Sequence, residues 1–206
     1  MAATIEARRG ERMQTRRSQL NTDLAPPDLL DRARRGDGEA WSHIVLSFGP
    51  KVQGYARGKG IADAEDVVQD VFTAAARGIG SFEGDWDAFR SWIFSIAYRQ
   101  IVNRYRSRAR HYEELPATLV DEHQVGPDQE VVLREMASEA VMALDVLSDV
   151  ERDVVLLRLI AGLDTADVAK AVGKREGNVR VIQFRALSKV RAELEGRGYM
   201  MEESRT

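Results

Sequence analysis

The chain has 206 residues, of which 44% are hydrophobic and 31% charged, and its formal net charge is −3. This composition is typical of a globular chain with room for one mid-sized domain or two small ones, and no apolar run is long enough to cross a bilayer. The absence of cysteine excludes disulfides, thiolate metal sites and cysteine nucleophiles, and favours a reducing cytoplasm. His43, His111 and His123 lack metal-ligand spacing and no glycine-rich phosphate motif is present, so we expect neither metal, cofactor nor enzymatic activity.

Charge is distributed unevenly along the chain. Between residues 90 and 110 there are six arginines and no acid. Acidic residues dominate 113–139, and basic residues return over 170–191. Two basic segments separated by an acidic one suggest two surfaces for a polyanion, although two ordinary solvated helix faces would give the same pattern.

Apolar spacings of three and four residues predict helices through nearly the whole chain. In chain order they begin near Leu29, run over 41–48 and beyond Pro50, cover 63–77, and extend from an Asp85 N-cap to about Arg108. A second group includes a helix after a Ser148–Glu151 capping box, a short helix from Thr165, and a long one over about 176–194. No segment alternates as a strand does, so the expected fold is all-α.

Composition divides these helices into two small domains. The predicted boundaries are a disordered basic arm over 1–23, a helical domain over 24–108, a flexible acidic linker over 109–130, a second domain over 131–196, and a tail over 197–206. The linker assignment follows from its prolines, glycine and acids, because a compact domain seldom contains a structureless loop of that length.

The C-terminal helices have the pattern of a helix-turn-helix, with Gly173 at the turn. One face of the last helix is apolar and can pack on the preceding helix, whereas its other face is basic. The residues predicted to contact DNA there are Lys174, Arg175, Arg180, Val181, Phe184, Arg185 and Lys189. Arginine forks can bind guanine edges in a major groove, and the lysine and arginine before the helix suit phosphates. An amphipathic helix pair that ends a bundle is the alternative.

The N-terminal domain presents two contrasting faces. Arg99, Asn103 and Arg106 share a stripe of the long helix with Trp92, an arrangement suited to nucleic acid whose bases are accessible. Trp86, beside a glycine-containing loop, is better placed to be exposed than Trp92. The preceding helix carries Asp63, Asp66 and Asp70 with Gln69 beside them, and such a face repels DNA and favours a basic protein surface. The domain is therefore expected to bridge a protein and a nucleic acid.

Two segments of the sequence resemble a known family. Residues 63–72 (DAEDVVQDVF) and 89–97 (FRSWIFSIA), followed by the arginine stripe, resemble region 2 of bacterial sigma factors. Residues 177–187 (GNVRVIQFRAL), after the segment 164–173, resemble region 4. Because little but the acidic linker separates them, the chain resembles the minimal extracytoplasmic-function (ECF) group over about 29–194.

The resemblance implies a promoter-recognition subunit of bacterial RNA polymerase. It assigns contact with the clamp coiled coil of the largest polymerase subunit to Asp63, Asp66, Gln69, Asp70 and Phe72. It assigns opening of the −10 element to Trp86, Phe89, Arg90, Arg99, Asn103 and Arg106, and reading of the −35 element to the helix that bears Arg180, Val181, Phe184 and Arg185. The flap region of the polymerase and an anti-sigma factor are further implied partners, and the implied location is the cytoplasm.

Two other functions fit parts of the sequence. A helix-turn-helix regulator that acts without polymerase would have no use for the acidic face and would usually need a dimer to read paired half-sites. A helical adaptor or anti-sigma-like protein would leave the two basic faces unexplained. These alternatives differ from the implied function in whether promoter activity depends on core polymerase.

Overall fold

The computed structural model describes residues 25–113 and 142–197, which we call the first and second modules. The first contains α1 (Leu29–Arg34), α2 (Gly38–Gly58), α3 (Ala64–Gly78), a 3₁₀ turn (Ile79–Ser81) and α4 (Trp86–Glu113). The second contains α5 (Asp149–Leu159), α6 (Thr165–Val172) and α7 (Glu176–Gly196). Over these two ranges the structure has no strand, which confirms the predicted all-α fold.

Of the described helices, α2, α4, α5 and α6 begin where a side chain satisfies an amide group of the first turn, whereas α1, α3 and α7 have no side-chain cap. The Asp85 carboxylate accepts from the backbone N–H of Ala88 at 2.8 Å, and Asp164 accepts from Asp167 at 2.7 Å. At α5 the predicted capping box is complete, because Ser148 and the carboxylate of Glu151 each accept from the other's backbone N–H. These contacts explain why the predicted starts of α4, α5 and α6 agree closely with the observed ones.

The core of the first module lies between α2, α3 and α4. Its largest buried side chains come from successive apolar positions of these helices: Ile44, Phe48, Val52, Tyr55, Val67, Val71, Phe89, Ile93, Phe94 and Ile101. Pro50 lies inside α2 without ending it, and the proline itself is exposed. The long helix α4 continues to Glu113, five residues beyond the predicted end at Arg108. None of the described helices has a stretch long and apolar enough to cross a membrane.

The second module folds around α5. Val154, Val155 and Leu157 of that helix are buried, as are Val168 of α6 and Val179 of α7. Gly173, the C-cap of α6, has φ +66°, a left-handed conformation that favours glycine and turns the chain into α7. The predicted basic arm, most of the linker, residues 131–141 and most of the tail lie outside the described residues.

The two modules are in direct contact. Leu156 and Leu157 of α5 and Val168 of α6 belong to the same buried apolar cluster as Phe48 and Ile93 of the first module. The sequence predicts two domains on a linker and provides no expectation of this packing.

Candidate nucleic-acid and protein interfaces

The acidic face of the first module lies on one exposed side of α3 and at its start. Asp63, Asp66, Gln69 and Asp70 are all exposed, as their spacing predicts. Asp70 accepts a hydrogen bond from the Arg104 guanidinium of α4 at 2.5 Å, so its charge is partly neutralised within the module. Asp63 and Asp66 lie at the surface, where a basic partner can pair with them.

Phe72 does not share this exposure. Only 8% of its surface is accessible, and its ring lies over Gly49 of α2. The prediction that Phe72 contacts a partner directly is therefore corrected, because the side chain is part of the core. Phe72 instead packs α3 against α2, which fixes the helix that carries the acidic side chains.

Basic and amide side chains occupy an exposed stripe of α4. Arg99, Asn103 and Arg106 are exposed at spacings of four and three residues. The Arg99 guanidinium donates to the carbonyl and hydroxyl oxygens of Ser95 at 3.1 and 3.0 Å, which orients it along the helix. Arg90, one turn from the start of α4, is more enclosed and pairs with Asp87 at 3.2 Å. We call Arg99, Asn103 and Arg106 the basic stripe.

Aromatic rings form a continuous cluster at the start of α4. Trp86 stacks on Phe89 with ring centroids 5.8 Å apart and packs on Phe48 at 4.7 Å. Trp92 packs on the other side of the cluster, 5.0 Å from Phe82. Trp86 and Trp92 are both half-buried, so the expected contrast in their exposure is not observed. Part of the Trp86 side chain is nevertheless accessible beside the glycine loop.

Phe89 is fully buried at the centre of this cluster. Its predicted contact with DNA is therefore wrong for this structure, since no part of the ring is accessible. The apolar spacing of α4 places Phe89 on the core stripe, and the structure agrees with that assignment. Phe89 acts instead as the surface on which Trp86 rests.

The outer face of α7 is unusually apolar for an exposed helix. Phe184 has 73% of its surface exposed and Val181 has 49%. All the residues predicted to contact DNA from this module are exposed: Lys174, Arg175, Arg180, Val181, Phe184, Arg185 and Lys189. The Arg180 guanidinium lies 3.6 Å from the carboxylate of Glu176, and the Lys189 ammonium forms an ion pair with Glu151 of α5. The opposite face is anchored by buried Val179 and Ala186, so α7 is fixed with its basic side outward.

A polar cluster that the sequence does not predict lies between the two modules. The Lys59 ammonium is 3.1 Å from the carboxylate of Asp153, and the two side chains are 3% and 8% exposed. The Tyr55 hydroxyl donates to the same carboxylate at 2.9 Å. Burial raises the pKa of Asp153, and Lys59 opposes that rise. Burial also raises the pKa of Tyr55 well above its usual value, so the phenol stays protonated and remains a donor.

No single sequence motif identifies this cluster. Lys59 and Asp153 are 94 positions apart, and each stands near other charged residues that are exposed. The only hint is that Asp153 falls among the apolar residues Val154, Val155 and Leu157 on α5. Within the described residues no group of three or more potential metal ligands occurs.

Two sequence families match these modules. Residues 44–111 match the family described as Sigma-70 region 2, and residues 143–192 match Sigma-70, region 4. The first match covers the acidic face, the aromatic cluster and the basic stripe. The second covers α5, α6 and all but the last residues of α7.

Similar proteins cover most of the chain. The ECF RNA polymerase sigma factor BldN of Streptomyces coelicolor is 29% identical over 164 residues, which are 78% of this chain but only 62% of BldN. The ECF RNA polymerase sigma factor ShbA of Streptomyces griseus is 28% identical over 178 residues, 80% of this chain and 92% of ShbA. The sigma factor RpoE of Bartonella quintana, solved with the anti-sigma factor NepR, shares the fold with a TM-score of 0.62 at 22% identity, covering 75% of this chain and 96% of RpoE.

Proposed function

The chain belongs to the sigma-70 family, and we infer that it is a sigma factor of the extracytoplasmic-function group, a transcription initiation factor that binds RNA polymerase and recognises promoters. On this basis we propose a separate binding role for each of its surfaces. The acidic face docks on core polymerase, the basic stripe and Trp86 separate the strands of the −10 element, and α7 reads the −35 element as duplex.

The coexistence of oppositely charged faces on one small module carries this proposal. Asp63 and Asp66 on α3 would repel DNA, whereas Arg99 and Arg106 on α4 attract it. A regulator that binds DNA alone has no use for the first face. The acidic face suits the basic side of a protein partner, and we assign it to the clamp coiled coil of the largest polymerase subunit.

The proposed opening of the −10 element needs no catalytic residue. Separating base pairs costs about 1.4 kcal/mol of stacking per step, and stacking one base on an aromatic ring returns about 1–3 kcal/mol. Trp86 supplies such a ring, held from below by Phe89, while Arg99 and Arg106 hold phosphates. One module alone gains little, so contact by the second module elsewhere on the same promoter adds affinity.

The second module supplies the duplex contact. Arg180 and Arg185 present forked donors from α7, and exposed Phe184 and Val181 can meet thymine methyl groups. Lys174 stands before the helix, where a phosphate contact fixes the docking angle. The flap region of polymerase is assigned as the surface that holds this module upstream.

We further assign an anti-sigma factor as a regulatory partner, because RpoE was solved with the anti-sigma factor NepR and has the same fold. The proposed site of action is the cytoplasm, where polymerase and promoters are found. The chain is proposed to perform no bond-making chemistry of its own, since recognition and melting require only binding energy.

Run-off transcription tests the proposal. Bacterial core polymerase is incubated with a genomic template library, with and without the chain, and the start sites are mapped by sequencing the transcripts. We expect a small set of shared start sites that depend on the chain. Site-selective DNA binding by the chain alone, with no change in transcription by core polymerase, would favour the polymerase-independent regulator instead.

A further inference from the structure

A cleft of about 540 Å³ opens at the surface where α6 packs against α4. Its volume lies within the range of small-molecule sites in proteins, about 300–1,000 Å³. Ala88, Trp92 and Arg99 line the cleft on α4, and Lys170 and Ala171 line it on α6. A molecule bound there would contact an aromatic ring, two small apolar side chains and two cations.

Each wall of the cleft has one cation with hydrogen-bond donors that remain available. Arg99 is exposed and uses two of its five N–H groups on the carbonyl and hydroxyl oxygens of Ser95, which leaves three for a ligand. The side chain of Lys170 is 79% exposed and donates to Asp167 at 3.2 Å, which leaves two of its three N–H groups. Since both cations line the same cleft, one anionic group can bind to donors from both modules.

Among the described residues that line the cleft, Asp167 is the only carboxylate. One of its oxygens accepts from the Ser91 hydroxyl and the other accepts from Lys170, so both are already paired. With Arg99 and Lys170 as the two cations, the formal charge of the lining is 2 − 1 = +1. The cleft therefore attracts an anion despite its acidic residue.

The cleft also offers an aromatic surface. Trp92 is half-buried, and its indole ring is held by Phe82 with the ring centroids 5.0 Å apart. Ala88 and Ala171 present only methyl groups to the cleft, which leaves room for a flat ring beside the indole. Nucleobases are flat rings that stack well on aromatic side chains, whatever their sequence.

We propose that this cleft is a binding site for a nucleoside phosphate, with the base against Trp92 and the phosphate held by Arg99 and Lys170. A phosphate monoester suits the two cations because it has a charge of about −1.5 to −2 at pH 7 and three strong acceptor oxygens. A carboxylate offers only one charge and two oxygens. A nucleotide combines the ring and the phosphate in one molecule small enough for the cleft.

This site goes beyond the proposed function, which gives Lys170 no role. The proposed function assigns Arg99 to the −10 element, whereas Lys170 lies in the module that is assigned to the −35 element. A DNA strand on the basic stripe reaches Arg99 without Lys170. A loss of nucleotide binding when Lys170 is substituted therefore distinguishes this site from the proposed strand contact.

Calorimetric titration of the full chain tests the site directly. The probes are AMP and GMP, and the comparison ligands are adenosine, guanosine and inorganic phosphate. We expect one saturable site for at least one nucleotide, with at least tenfold weaker binding of its nucleoside and of phosphate, because each supplies only part of the contacts. The nucleotide should quench tryptophan fluorescence, and Trp92→Phe should remove most of this quenching while calorimetry still detects binding.

Substitutions on the two walls locate the bound nucleotide. Lys170→Gln is expected to weaken binding at least fivefold because it removes a charge-assisted hydrogen bond, whereas Lys170→Arg keeps the charge and should bind nearly as well. Arg57→Gln, which removes a cation from an exposed position of α2 outside the cleft, is the control. Ala88→Trp fills the cleft and should abolish binding, and Ala76→Trp places the same ring on an exposed position of α3 and should not. Circular dichroism checks that each variant keeps its helices.

Three results would overturn the site. The first is the absence of saturable binding of either nucleotide at millimolar concentration. The second is binding of inorganic phosphate as tight as that of the nucleotides, since the base would then contribute nothing. The third is nucleotide binding that neither Lys170→Gln nor Ala88→Trp weakens, which would place the nucleotide outside the cleft. These titrations contain no polymerase and no promoter, so the site can fail while the proposed function stands, and the reverse.

Discussion

Lys189 on α7 donates to both carboxylate oxygens of Glu151 on α5, at 2.8 and 2.9 Å. Glu151 also accepts from the backbone N–H of Ser148 at 2.9 Å, so one carboxylate links the start of α5 to the middle of α7. The position of Lys189 on the basic face predicts that it contacts DNA. In this structure Lys189 also links α7 to α5, so a phosphate that binds Lys189 must compete with Glu151.

This carboxylate makes the stability of the second module dependent on pH. Lys189 and the Ser148 hydrogen bonds lower the pKa of Glu151 from 4.5 to about 2. Because the folded value is the lower one, the stabilisation is complete above about pH 4.5 and is lost as the pH falls toward 2. Glu151→Gln is expected to cost about 1 kcal/mol at pH 7, a modest figure because solvent screens the pair.

Urea unfolding of wild type and Glu151→Gln at pH 7 and pH 3 measures this dependence. We expect the difference in unfolding free energy to be smaller at pH 3. Glu195→Gln, at an exposed position near the end of α7, serves as the control and should change stability little at either pH. A constant difference between the two pH values would contradict the assigned ion pair.

The acidic face predicts a charge-reversal phenotype. Asp66→Arg places a positive charge on the exposed side of α3, where the proposed partner is basic, and should weaken binding to core polymerase at least tenfold. Co-purification and fluorescence anisotropy with core polymerase measure the loss. Glu39→Arg makes the same change at an exposed position of α2 and should bind normally. Equal binding by both variants would remove the docking role from α3.

The outer face of α7 predicts a specificity phenotype. Arg185→Ala should cost about 1–3 kcal/mol at one upstream base position and relax the preference there. Lys174→Ala is the comparison, because removing an ammonium group that binds a phosphate weakens binding to all sequences alike and reduces the salt dependence. Transcription from a library with randomised upstream elements separates the two patterns. A uniform loss for Arg185→Ala would reassign that arginine to the phosphate backbone.

Local sequence predicts most of the helices because apolar spacing marks all of them and a side-chain cap marks the start of α2, α4, α5 and α6. Asp85 and Ser148 fix the starts of α4 and α5, and Gly173 fixes the turn before α7. The end of α4 is harder to predict, because residues 109–113 include the good helix formers Ala, Arg and Glu and contain no glycine or proline to mark an end.

Helical spacing also predicts which side chains form the core. Phe72 and Phe89 lie on the apolar stripes of α3 and α4 and are buried, so spacing predicted their place better than the contacts that the family resemblance implied. The contact between the modules could not be predicted, because it joins residues far apart in the sequence. In the sequence nothing distinguishes Lys59 from a surface lysine, because its partner Asp153 is far along the chain.

The aromatic cluster at the start of α4 predicts a defect confined to strand separation. Trp86→Ala removes the ring proposed to stack on an exposed base, an interaction worth about 1–3 kcal/mol. We expect transcription from duplex promoters to fall at least tenfold and transcription from templates with a pre-melted −10 element to fall much less. Trp86→Phe keeps an aromatic face on Phe89 and should recover part of the duplex activity.

Reduced packing is a separate effect of the same substitution, since Trp86 also packs on Phe48. Trp92→Ala controls for it, because Trp92 is also half-buried in the cluster and packs on Phe82 on the far side. Thermal unfolding should show comparable destabilisation of the two alanine variants, whereas only Trp86→Ala should distinguish duplex from pre-melted templates. If both templates showed equal reductions in activity with Trp86→Ala, the tryptophan would support the module without taking part in melting.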